Sequence, residues 1–168
     1  AEVGDDVFKE DPTVNKLEEK AAELRFLRAI FYFDLKIHHK YIPWIDETMT
    51  QEEILATTNR DLTDQQLWDK IAADFRFAAH NLPDVQQDIG RASALSAKAY
   101  LAKTLLYQAY EQDELHNVVN INQPKLEEVV SLVDEIEASG QYGLYDDYAE
   151  NFLFEFENGK ESVFAIQR

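Results

Sequence analysis

Apolar residues recur at helical spacing in four long stretches of the chain, with polar residues between them. From Asp11-Pro12 to about His39, Leu17/Ala21/Leu24/Phe31/Leu35 and Ala22/Phe26/Ala29/Phe33/Ile37 form two adjacent stripes. They predict a first helix with a wide apolar face, with Asp11 as N-cap and Pro12 in the first turn. Arg25, Arg28, Tyr32 and Lys36 make a separate polar stripe on it. A second helix starts at Thr63, where Thr63-Asp64-Gln65-Gln66 fits a capping box. Its face runs through Leu67, Trp68, Ile71, Ala72, Phe75, Ala78, Ala79 and Leu82 to a stop at Pro83. The third lies in Gly90–Tyr110 with Ser93 as N-cap, and six of those twenty-one residues are alanine. A helix facing solvent keeps a broad polar face, and this one has none. Its small side chains let neighbours approach from several sides, as the inner helix of a stack requires. The fourth helix begins near Pro124, offers Leu126, Val129, Val130, Val133 and Ile136 to the core, and ends at Gly140 in a left-handed cap.

Two long connections, Tyr41–Leu62 and Glu111–Gln123, join these helices in pairs. The expected organisation is a helical hairpin over 12–82, a second over 93–140, and an irregular segment with a strand over 141–168. That is a mostly α fold of irregular, tetratricopeptide-like helical hairpins, an α-α superhelix with a short terminal strand. The strand is Glu161–Gln167, after the turn signal Asn158-Gly159. A lone strand leaves its backbone groups unpaired, so the chain is expected to continue past Arg168.

At 168 residues the chain can bury a core, and 16 basic against 33 acidic residues leave a net charge of −17. Such acidity argues against nucleic acid or anionic lipid as a partner, because both require clustered Lys and Arg. No cysteine is present, which excludes disulfides and Cys-ligated zinc. The first residues do not read as a signal peptide and no apolar run is long enough to span a bilayer. The sequence is therefore expected to be either cytosolic or a processed or trimmed piece, and the strand at its other end favours the second.

Enzyme signatures are absent: there is no G-x-S-x-G, no P-loop and no H-E-x-x-H. Ser93 reads as a cap rather than a nucleophile. His38-His39 point about 100° apart on a helix and cannot converge on one ion. His38 is expected to pair with Asp34, and neither it nor Asp113-x-x-His116 reads as a metal site; no cofactor is expected. Arg25, Arg28 and Arg91 are expected to hold ion pairs to neighbouring elements. Trp68 is core, and Tyr142, Tyr145 and Tyr148 are packing residues. The candidate ligand site is the loop after the first helix, where Tyr41 and Trp44 stand beside Asp46 and Glu47. A sugar ring stacks its C–H face on an aromatic ring while its hydroxyls take polar partners. Against this, Ile42, Trp44 and Ile45 can equally tuck the loop under the helical layer.

Three separated motifs, in order, resemble the SusD/RagB family of outer-membrane nutrient-binding lipoproteins. The first is Ala22-Glu23-x-Arg25-Phe26-Leu27-Arg28-Ala29; the second is Gly90-Arg91-Ala92 before an alanine-rich helix ending in Leu105–Tyr107. The third is Ser139-Gly140-x-Tyr142-x-Leu144, followed by the acidic-aromatic stretch and Glu161-Ser162-x-Phe164-x-Ile166-Gln167. The resemblance runs from about Ala21 to Gln167 and covers part of a member, lacking the lipidated N-terminal cysteine and the larger C-terminal region. The chain reads HHKYIPWIDE where the family has a Gly-rich turn before Val-Pro, and Glu111–Gln123 is longer than usual. The resemblance implies a non-catalytic, surface-exposed outer-membrane protein, lipid-anchored when full length, that captures oligosaccharide or peptide for a SusC-like TonB-dependent transporter. The alternative is a free-standing helical-repeat adaptor for a protein or peptide partner.

Overall fold

The computed structural model describes residues 17–167. In chain order it contains α1 (Leu17–His38), α2 (Gln51–Ala56), α3 (Asp64–Asn81), α4 (Ala94–Ala109), β1 (Tyr110–Gln112), β2 (Val118–Ile121) and α5 (Gln123–Ala138). Two short 3₁₀ turns, Tyr148–Phe152 and Phe154–Phe156, follow. The expected start at Asp11-Pro12 lies outside the described residues.

Local chemistry sets the helix ends. Thr63 accepts from the backbone N–H of Gln66, whose side chain returns the bond, and Ser93 with Ser96 closes the same box on α4. Asn122 caps α5. Gly140, at φ +65°, ends it in the left-handed region where a Cβ is unfavourable. The connection 41–62 carries one element that the periodicity does not announce. Thr50 and Glu53 form a capping box that starts the six-residue α2.

In space the order is α1, α3, α4, α5: α1 packs on α3, and α4 lies between α3 and α5. Ten residues of α4 are buried between Ala94 and Ala109, most of them on one half of its circumference, while Lys103, Leu106 and Tyr107 stay exposed on the other. Close approach on two sides requires the alanines read in the sequence. Two aromatic clusters lie along it, one near its middle and one near its C-terminal end. Tyr100 stacks on Phe75 at 5.5 Å and meets Phe26 edge-on at 5.6 Å. Tyr107 meets Phe33 edge-on at 5.5 Å and lies 6.0 Å from Trp68.

Three expectations are corrected. Of the two stripes on α1, Ala22/Phe26/Ala29/Phe33 is buried, while Leu24 and Phe31 stay 68% and 63% exposed. A helix with one packed neighbour buries one stripe, and α3 supplies that neighbour. On α5 the core residue is Leu132; Val130 and Val133 face outward. The strand expected at Glu161–Gln167 is also absent, because this segment meets no partner strand among the described residues. It is held instead by Phe164, whose ring lies 5.0 Å from that of Phe26. The antiparallel pair β1–β2 starts at Tyr110 and occupies most of the connection 111–123, with a register shift at Glu111/Gln112.

Truncating Leu101 or Leu105, both buried in α4, to Ala is expected to destabilise the chain by about 2–5 kcal/mol. A denaturant titration of each variant checks this, with a shifted midpoint and an unchanged slope as the expected result.

Candidate ligand-binding site

The polar stripe of α1 reaches across to α3 and the loop behind it. Arg28 donates to both carboxylate oxygens of Asp74, at 2.7 and 2.8 Å, in a bidentate fork. Asp74 is only 3% exposed. The Asp74 carboxylate, together with Glu47, raises the Arg28 pKa further above its already high value. Arg28 also bonds Glu47, and Arg25 lies 3.6 Å from the same carboxylate. Glu47 sits below the usual carboxylate range, through a backbone hydrogen bond and then Arg28.

These contacts turn the loop inward. Trp44 is 6% exposed, its ring 4.3 Å from Tyr32 in a stacked arrangement, with the Arg28 guanidinium 5.2 Å away. Tyr32 donates its hydroxyl to Ile45 O and accepts from Ile45 N–H, fixing the strand of chain beside the ring. Asp46 accepts from Trp44 Nε1 at 2.9 Å and from the Thr48 hydroxyl at 2.6 Å. Those bonds, that of Thr48 first, hold its carboxyl at about 2. Tyr41 donates to Glu114 at 2.5 Å, and Arg60 covers its ring at 3.8 Å. All four residues of the expected platform thus have partners within the protein. Trp44, Asp46 and Glu47 form a clamp, and Trp44 has no open ring face for a sugar.

The structure gathers a different set at the same end of the molecule. A cleft of about 290 Å³ opens between the end of α1, the start of α3 and the β1–β2 hairpin. Lys36, His38, Asp64, Tyr107, Tyr110 and His116 line it. Lys36 is buried and bonds Asp64 and, at 2.7 Å, the Lys40 carbonyl. Burial pushes its ammonium below the usual lysine value, and Asp64 works against that shift. His38 makes no ion pair with Asp34; it borders the cleft instead. Tyr107 and Tyr110 remain 46% and 41% exposed. Sequence reading missed this set because Tyr107 lies on a helix that is otherwise core, and Tyr110 reads as the end of that helix rather than as the start of a hairpin. Among the described residues no group of three or more His, Asp or Glu is placed to hold a metal ion.

No family model and no curated protein matches the chain. Solved structures do match it. A SusD-like protein from Bacteroides fragilis superposes with a TM-score of 0.71 at 23% identity, covering 90% of this chain and 28% of that one. A SusD-like carbohydrate-binding protein from the same species gives 0.65 at 24%, covering 88% and 26%. A structure solved with xylogluco-oligosaccharide gives 0.67 at 25%, covering 89% and 29%. The chain therefore has the helical fold of SusD-like proteins, and it spans less than a third of the length of the chains it matches.

Replacing Arg28 by Ala leaves the Asp74 carboxylate buried without its partner, an expected loss of about 3–5 kcal/mol. The double variant Arg28→Met/Asp74→Leu is expected to recover most of it, measured by chemical denaturation. Asp46 has its carboxyl depressed from 3.8 to about 2, so its contribution is full above about pH 4 and is lost as pH falls toward 2. Asp46→Asn is expected to flatten the acid limb of the melting temperature over that interval.

Proposed function

We propose that the chain is part of a SusD/RagB-type nutrient-binding protein, its tetratricopeptide-like helical scaffold, and that it binds without catalysing. The observation that carries this reading is the fold shared over about nine-tenths of the chain with SusD-like proteins, one described as carbohydrate binding. A further match was solved with xylogluco-oligosaccharide, which points to oligosaccharide as the ligand class. In this reading the whole protein stands lipid-anchored on the outer face of the outer membrane. There it captures oligosaccharide and delivers it to a SusC-type TonB-dependent transporter. The three motifs read in the sequence support the same assignment.

Within this chain the Tyr41–Glu47 loop acts as a clamp that stiffens the end of α1, and its aromatics serve packing. Affinity electrophoresis against a panel of polysaccharides that includes xyloglucan tests the reading. Retarded migration in at least one neutral polysaccharide is the expected outcome. Unretarded migration in all of them, with retention on an immobilised peptide library, would replace the glycan reading by that of a helical-repeat adaptor.

A further inference from the structure

We propose that the cleft at the end of α1 is a subsite for a neutral sugar residue, with Tyr110 and Tyr107 as its stacking surface. The inference rests on the oligosaccharide reading above and assigns a ligand contact within this chain.

Three features of the cleft select this ligand. The first is a pair of half-exposed rings in a concave site. Tyr110 packs on no other ring or cation among the described residues, and Tyr107 touches its neighbours by edge and tilt rather than by full overlap. The second is the state of the polar groups. The hydroxyls of Tyr107 and Tyr110 and the imidazoles of His38 and His116 take no hydrogen bond within the described residues, whereas the Tyr41–Glu47 loop is fully engaged. Phenol and neutral imidazole each donate and accept, as a sugar hydroxyl does. The third is charge. Lys36 and Asp64 neutralise each other, and the Lys40 ammonium is held by the Asp113 carbonyl. With the Asp113 and Glu114 carboxylates also close to Lys40, the described residues give the cleft no excess of ammonium over carboxylate to favour a phosphate or a uronate. The volume, about 290 Å³, is just under the range of ligand pockets, roughly 300 to 1,000 Å³, and suits a single sugar residue.

Two larger clefts, about 380 and 420 Å³, flank the segment 141–167, but their aromatics are already engaged. Phe164 lies against Phe26, and Tyr145 packs edge-on with Phe156 at 5.1 Å while accepting from the Lys160 N–H. Tyr142 donates to the Val163 carbonyl. An oligosaccharide would find polar walls there and phenol hydroxyls already bonded within the protein.

Isothermal titration of the chain with xylogluco-, cello-, xylo- and malto-oligosaccharides, and with an oligogalacturonide as the charged control, tests the assignment. The variants are Tyr110→Ala, Tyr110→Phe and His116→Ala, with Tyr41→Phe outside the cleft for reference, each first checked for an unchanged melting temperature. Tyr110 is half exposed, so its truncation should leave the fold intact, and His116→Ala provides a second probe on the hairpin. The expected result is binding of a neutral oligosaccharide by the unmodified chain, weakened tenfold or more by Tyr110→Ala. Tyr110→Phe should retain most of the affinity, His116→Ala should weaken binding severalfold, and Tyr41→Phe should have no effect. Binding left intact by Tyr110→Ala and His116→Ala would overturn the subsite while leaving the oligosaccharide reading standing. Preference for the oligogalacturonide would overturn the neutral ligand class. Failure of the unmodified chain to bind any of them would remove both.

Discussion

The confinement of α4 between α3 and α5 is the constraint on which the rest of the architecture depends. A helix pressed from two sides cannot carry large side chains around its whole circumference, because interiors pack at crystal-like density. Alanine fills the close contacts, and Leu95, Leu101 and Leu105 fill the wider gaps. The polar groups caught inside are paired nearby: Ser96 with Ser93, the Thr104 hydroxyl with the Tyr100 carbonyl at 2.8 Å, and Gln108 Nε2 with Asp69 at 2.6 Å. Gln108 Oε1 is the buried side-chain atom left without a partner among the described residues. Because α4 is fixed on both sides, the rings it carries are fixed too. Tyr100 anchors one aromatic cluster near its middle, and Tyr107 is delivered to the wall of the cleft near its C-terminal end.

The charged residues of α1 work on top of that frame. Desolvating Arg28, Asp74, Lys36 and Asp64 is unfavourable by itself and becomes tolerable through close pairing. The two pairs join α1 to α3 near the middle and near the end of α1. The loop from Tyr41 to Glu47 has no secondary structure of its own, and it acquires a definite conformation by bonding Tyr32, Arg28 and Glu114. Rigidity at this end of the molecule is therefore electrostatic and aromatic more than aliphatic. That suits a ligand surface, whose walls must hold their shape without a guest.

Trp44 and Tyr110 show how far the sequence goes toward a site. Trp44 stands in a connection rich in polar neighbours and Tyr110 at the end of the stretch read as the third helix, and composition favours the tryptophan as the sugar platform. The fold reverses the order. Tyr32 and Arg28, twelve and sixteen residues earlier in the chain, cover the Trp44 ring and consume its polar neighbours. Tyr110, the first residue of β1, borders the same cleft as Trp68 and Tyr107 but stacks on no ring or cation among the described residues. Nothing within a few residues of either position distinguishes them.

What the sequence by itself determined is local in origin. The capping box at Thr63, the N-cap at Ser93, the stop at Pro83 and the left-handed glycine at 140 act within a few residues, so these helix boundaries were legible. The alanine cladding of α4 was equally legible as an inner helix, because small residues on every side have one mechanical use. Only the tertiary structure decided which stripe of α1 faces α3, that Leu132 rather than Val130 meets the core, and that Glu161–Gln167 docks by Phe164 instead of pairing as a strand. Those outcomes depend on which surfaces meet over tens of residues. Two apolar stripes of equal quality, or an extended run with and without a partner, look the same until the neighbour is in place.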